Sequence, residues 1–167
     1  MESEVRELLI EELKDAFSAE KQALRCMQKA VKMASAPALR EGIHLHIEQT
    51  QVQIERVEQA MEQLEARPGR KVCEAMRGLV EEAQHEIEQQ DEKGPILDLV
   101  IVAGMQRIEH YEIAAYGSLC SWAEQMGHND ALQLLQQTLE EEKAADEKLT
   151  EVAVTAVNLE AASESQD

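Results

Sequence analysis

The chain has 167 residues, with 34 Asp and Glu against 16 Lys and Arg and a formal net charge of −18 at pH 7. Such a surface repels phosphate, which argues against nucleic acid and anionic membrane as partners, and it attracts cations, metals included. The length suits one domain with one core, and a composition of 2% aromatics, 7 Gly and 3 Pro, rich in Glu, Gln, Ala and Leu, favours long helices over a sheet.

Breakers divide the sequence into five predicted helices. The first runs from Ser3 to Ala34, with Leu9, Leu13, Ala16, Glu20, Leu24, Met27 and Val31 on its inner face. "SAP" at Ser35–Pro37 offers a cap and an early-turn proline to open the second. That helix is expected to end at "RPG", Arg67–Gly69, and its inner stripe is Leu39, Ile43, Ile47, Thr50, Ile54, Val57 and Met61. A shorter third helix carries Val72, Met76, Leu79, Val80, Ala83 and Ile87 on one face and closes at "DEKGP", Asp91–Pro95. The fourth runs to Met126; its apolar start, Ile96 to Met105, is too short to span a bilayer. "GHND", Gly127–Asp130, is a tight turn with Asn129 as the expected cap of the fifth helix, which ends near Asn158. The ordered domain is placed at residues 1–160, with a flexible polar tail over 161–167.

Tight turns make the first and second helices, and the fourth and fifth, antiparallel hairpins. The longer connection between them carries a helix of its own. This is the plan of an all-α, ferritin-like four-helix bundle with a long crossover. An up-down helical array is the competing plan, and it predicts no shared site at mid-bundle. Cys26, Cys73 and Cys120 form no C-x-x-C pair and read as reduced core thiols. With no signal-peptide core at the start of the chain, a cytoplasmic location is expected.

Acids interrupt three of the apolar stripes. Glu20 falls in the middle of the first. The fourth helix reads Leu97, Ile101, Gly104, Ile108, Glu112, Ala115, Leu119, Trp122, with Glu109 at its edge. The fifth reads Leu132, Leu135, Leu139, Glu142, Asp146, Leu149, Ala153. Burying an unpaired carboxylate is costly, and a cluster more so. Protonation, pairing with Lys21, Arg107 or Lys143, or a bound metal would each offset the cost. Taking the last turn as a mirror, Glu109 faces Asp146 and Glu112 lies close to Glu142. Those four, with Glu20, suit a metal site of the ferritin-like kind. On the second helix the inward residues level with Glu20 are Thr50 and Gln53, neither an ionic ligand, and Glu48-x-x-Gln51 leans away. His46, one turn off, is the candidate nitrogen ligand there, against a merely hydrogen-bonded histidine. Ala145 stands three after Glu142, where a second histidine would be expected, and Asp146 is the nearest substitute.

The segments "DAFSAEKQAL" (Asp15–Leu24), "HIEQTQVQIERVEQ" (His46–Gln59), "GLVEEAQHEIE" (Gly78–Glu88), "IEHYEIAAYGSL" (Ile108–Leu119), "AEQMG" (Ala123–Gly127) and "LEEEKAADEKLT" (Leu139–Thr150) occur in an order that resembles the YciF/YciE-like bacterial stress-response family. The resemblance covers nearly the whole chain. It implies a ferritin-like fold similar to rubrerythrins and manganese catalases, a homodimer, a carboxylate-rich mid-bundle site for two Fe or Mn ions, and a role in stress resistance. Glu20, Glu109, Glu112 and Glu142 match the ligand pattern, with Asp146 and His46 as further matches. Relatives can carry His where this chain has Gln51 and Glu where it has Gln49, so the implied second metal position is weakened and a mononuclear or metal-free site stays open. The implied chemistry is that of an oxidoreductase acting on peroxide or oxygen, with Glu112 bridging. Iron storage and a non-catalytic acidic dimer are the alternatives. Tyr111 and Tyr116 read as packing residues rather than redox partners.

Overall fold

Apolar residues spaced three and four apart become four long helices and one short one. The protein, a computed structural model that describes residues 2–158 and 162–163, consists of α1 (Glu2–Met33), α2 (Pro37–Gln63), α3 (Glu74–Glu88), α4 (Pro95–Gln125) and α5 (Asn129–Val152). A π-helical turn, Ala153–Val157, extends α5. The expected tail at 161–167 lies outside the described residues, apart from 162 and 163. Helix α1 packs on α2 and α4, and α5 packs on α2 and α4, so the four long helices close a ring. The crossover helix α3 lies against α4 and α1. This is the ferritin-like bundle with a helix-bearing crossover.

Two joints hold the hairpins to the crossover. Asp98, in the first turn of α4 and 1% exposed, accepts hydrogen bonds from the Ser35 and Ala36 amides, each at 2.7 Å. The cap of α2 is therefore supplied by a carboxylate 62 residues away, whereas the "SAP" motif had pointed to Ser35. Ala36 holds the N-cap position and makes no side-chain cap bond. At the other joint, Gly104 lets α3 lie close on α4: a methyl there would meet the Ala83 methyl at 3.0 Å. Cys73 caps α3 by accepting from the Met76 amide, while its own amide donates to Ser18 Oγ and its carbonyl accepts from Gln22 on α1.

Three helix ends differ from expectation. Helix α2 stops at Gln63, before the "RPG" motif, because Leu64, Glu65 and Ala66 form a Schellman turn: Glu65 N donates to Glu62 O at 3.0 Å and Ala66 N to Met61 O at 2.9 Å. Glu65 takes the left-handed φ of 54° that this turn demands. Helix α4 ends the same way with glycine in the left-handed place, Gly127 at φ 71°, and His128 N bonded to Ala123 O. His128 rather than Asn129 is the N-cap of α5, without a side-chain bond.

The apolar core falls into two clusters. One joins Leu9, Leu13, Val57, Met61, Leu119 and Leu135 at the end where α1 begins. The other joins Met27, Leu39, Ile43, Ile101, Met105 and Leu149 towards the α1–α2 turn. Between them lies a polar layer from all four long helices. Replacing Asp98 with Ala strands two amides and is expected to lower stability by about 2 kcal/mol in urea unfolding; an unchanged midpoint would mean that other groups cap this turn. Glu65→Gly relieves a left-handed residue at an exposed site and is expected to raise stability by roughly 1 kcal/mol in the same assay.

Candidate metal centre

The polar layer is built from residues that helical spacing forces inward. Glu20, Glu109 and Glu142 are 0% exposed, Glu112 2% and His46 6%. Donor atoms of His46, Glu109, Glu112 and Glu142 all lie within 4.8 Å of one another. His46 Nε2 is 2.8 Å from Glu109 Oε1 and 3.6 Å from Glu142 Oε2. Its Nδ1 lies 3.4 Å from the amide oxygen of Gln49. An amide oxygen only accepts, so in this contact Nδ1 carries a proton, and Nε2 is turned to the carboxylates, where a proton or a cation between the atoms would hold both.

Glu20 stands beside this group, and its Oε1 accepts a short hydrogen bond from the Tyr116 hydroxyl. Its Oε2, and both oxygens of Glu109, Glu112 and Glu142, are buried without a hydrogen-bond partner. Thr50 Oγ1 and Gln53 Oε1, buried on α2, are equally unpartnered. Asp146 is only half-buried; its Oδ1 lies 3.2 Å from His110 Nδ1, and it stands outside the group of four.

The three cations that stand beside these acids in sequence are engaged elsewhere. Lys21 lies over the Phe17 ring, Arg107 reaches Glu82 and Glu86 on α3, and Lys143 pairs with Glu140. Arg56 grips Glu141 with two bonds of 2.6 and 2.8 Å, and Gln53 Nε2 donates to the same carboxylate. Pairing with lysine or arginine is thereby removed as an account of the buried acids. Protons and metal ions remain.

Burial, reinforced by the charge of Glu142, lifts Glu20 to about 8 even though the Tyr116 hydrogen bond opposes the rise. Burial lifts Glu109 to about 7, even though its close approach to Glu142 pulls it down. Glu112 and Glu142 are pushed well above the usual carboxylate range, first by burial and then by their acidic neighbours. Burial likewise keeps the Tyr116 phenol protonated.

A family model described as a domain of unknown function (DUF892) matches residues 4–162. The chain belongs to the DUF892 family. Protein YciF of Escherichia coli (strain K12) is 44% identical over 155 residues, 92% of this chain and 93% of that protein. The crystal structure of the E. coli stress protein YciF matches with a TM-score of 0.86 at 42% identity, covering 92% of this chain and 97% of that one. YcfI from Rhodopseudomonas palustris matches at 0.84 and 40% identity over 87% of this chain and 92% of its own. A ferritin-like, diiron-carboxylate protein from Bacillus anthracis str. Ames matches at 0.69 with 14% identity, over 89% of this chain and 96% of that one. That last likeness concerns the fold alone. The YciF-like resemblance and the ferritin-like architecture read from the sequence therefore both hold.

Within this DUF892 domain, sequence reasoning found five of the buried ionisable groups, Glu20, His46, Glu109, Glu112 and Glu142. It did not find the Tyr116–Glu20 bond or the Arg56–Glu141 clasp. Tyr116 lies four residues after Glu112, one turn along the same face, which is the signal that could have placed it. Nothing comparable marked Glu141, which neighbours the inner stripe and leans out of it. Among the described residues, no helix is long and apolar enough to cross a membrane.

The raised pKa values set a pH dependence for protein stripped of metal. A carboxylate that binds its proton more tightly folded than unfolded stabilises the fold below its unfolded pKa, near 4.5, and that gain is lost as pH rises through the folded value, about 7 for Glu109 and about 8 for Glu20. Chelator-treated protein is expected to melt at progressively lower temperature from pH 5 to pH 8.5. A flat profile would mean that these acids are solvated or otherwise neutralised.

Proposed function

We propose that this chain is a stress-response protein of the ferritin-like kind, holding two Fe or Mn ions at mid-bundle and acting on peroxide or dioxygen. The observation that carries the reading is the set of one imidazole and three carboxylates whose donor atoms lie within 4.8 Å, buried and short of hydrogen bonds. Hard oxygen donors with one nitrogen suit Fe or Mn better than Cu or Zn. Charge supports a pair of ions. Glu20, Glu109, Glu112 and Glu142 carry four negative charges when ionised, which two divalent cations balance in a site with no lysine or arginine partner.

Residue roles follow from position. His46, Glu109, Glu112 and Glu142 would form the fuller ligand set, with Glu112, which lies near Glu20, in the proposed bridging role. Gln49 holds the His46 ring in the tautomer that leaves Nε2 free, the part an outer hydrogen-bond partner plays at a metal-bound histidine. Tyr116 fixes Glu20 and keeps a proton at the wall of the site. Asp146 adds negative charge beside Glu109 without joining the set. The apolar clusters above and below the layer exclude water. Two bound ions of this kind supply paired one-electron changes, which match the two-electron reduction of peroxide to water. The stress role is carried by likeness to YciF, which is named a stress protein. The working unit is proposed to be a homodimer, as the resemblance implies.

A metal-buffering, non-catalytic role is the second reading. Thr50 and Gln53 favour it, since they occupy the α2 level where ionic ligands would complete a tight second position. Elemental analysis of protein prepared without chelator, followed by peroxide turnover, separates the two. About two Fe or Mn per chain, with turnover abolished in Glu112→Ala, is expected for the first. Bound metal without turnover supports the second. No metal uptake, together with unchanged stability in Glu142→Leu, would overturn both. At a free ion concentration one hundred times its Kd, metal is expected to add about 2.7 kcal/mol of stability, seen as a raised Tm.

A further inference from the structure

A cavity of about 90 Å³ lies between α2 and α5, and His46 and Glu109 form part of its wall. Its lining reaches the surface at Leu45 and Lys148, both exposed. Most of the remaining wall is aliphatic or thioether, contributed by side chains such as Met27, Ile43, Met105 and Leu149.

Small residues make the space: Ala38 and Gly42 on α2 and Ala144 and Ala145 on α5. Ala145 stands three residues after Glu142, where a ligand histidine would complete the ferritin pattern. A methyl group there leaves open the volume that an imidazole would fill. Gly42 has no backbone reason to be glycine. It lies inside α2, its φ is not left-handed, and nothing is found within 4 Å of a Cβ built there. Glycine inside a helix weakens it relative to alanine. The space it leaves over the groove is what its missing side chain provides.

The wall also defines the guest. Both Glu109 oxygens are buried, lack hydrogen-bond partners and belong to a residue that lines the cavity. An ion of either sign would lose its hydration against mostly apolar walls, and the one lysine of the lining, Lys148, is exposed rather than at the buried end where it could receive an anion. The volume is smaller than the ~150 Å³ of an engineered cavity that takes benzene or xenon, so the guest has only a few heavy atoms. We propose that this cavity is the entrance and holding site for a small uncharged oxidant, of the dioxygen or hydrogen peroxide class, which meets the cluster at its His46–Glu109 edge. Its use as a path to bound metal rests on the function proposed above. Its capacity for a small neutral guest does not.

Two arms test this with the full chain. In crystals of chelator-treated protein under xenon pressure, xenon is expected between Gly42 and Ala145, and none in Ala145→Leu. Absence of xenon from the unmutated cavity overturns the holding site. In the second arm, protein loaded anaerobically with Fe(II) is mixed with dioxygen or with hydrogen peroxide, and ferrous oxidation is followed by stopped flow. Gly42→Leu and Ala145→Leu are expected to bind the same Fe(II) and to oxidise it several-fold more slowly. Slowing with one oxidant alone identifies that oxidant as the one using the cavity. Unchanged rates with both overturn the entrance, and so does loss of Fe(II) from both variants, which would mean that the small residues shape the ligands instead. Failure of the unmutated protein to bind Fe(II), with xenon present, overturns the metal function and leaves the guest site standing.

Discussion

Repulsion among carboxylates in a dry layer is the constraint around which this bundle is organised. Glu109, Glu112 and Glu142 converge from two helices, and Glu20 closes on them from a third. Apart from the Glu20 oxygen that accepts from Tyr116, their oxygens lack the hydrogen bonds that buried polar atoms nearly always find. Lys21, Arg107 and Lys143, the cations beside these acids in sequence, do not come to their aid, because each is taken by an acid or a ring outside the layer. A protein with 34 acids and 16 bases has little positive charge to spare for its interior. Protons or metal ions therefore have to supply it.

The rest of the structure makes that concentration of charge tolerable. Apolar clusters on both sides of the layer tie all four long helices together, so the polar groups do not have to hold the bundle closed. The Arg56–Glu141–Gln53 network seals the α2–α5 seam next to the layer, and the Tyr116–Glu20 bond braces α4 against α1. On the other side of His46 the same seam is left open by small residues. One seam is thus locked at one level and porous at another, which gives the layer a sealed flank and an accessible one.

How much of this could be read from the chain follows from what each feature depends on. Helical period and breakers marked the five helices and the crossover, because apolar spacing and turn residues are local. Glu20, Glu112 and Glu142 stood out because an acid in a Leu position is a conflict visible in one dimension. Glu109 was placed at an edge and is fully buried, since the packed neighbours wrap further round α4 than the strict stripe suggests. In α5 the seam runs through Ala131, Thr138 and Val152, while Leu132, Leu139 and Asp146 are only half-buried. A real helix turns every 3.6 residues, so a 3-4 stripe drifts along it. The end of α2 was misjudged because Glu65 adopts a conformation usually signalled by glycine. Contacts such as Asp98 to the α1–α2 turn, or Arg56 to Glu141, join residues far apart in sequence and leave no local trace.

The Asp98 contact has a meaning for chain direction. After α2 the polypeptide is at the opposite end of the bundle from the first turn, and it must travel back the full length before α4 starts. Only then does the first turn of α4 meet the amides of Ser35 and Ala36. A bundle threaded the other way, with α4 beginning beside the end of α2, would bury much the same leucines but leave those two donors bare. One short acid thus acts as a latch that closes on a single topology.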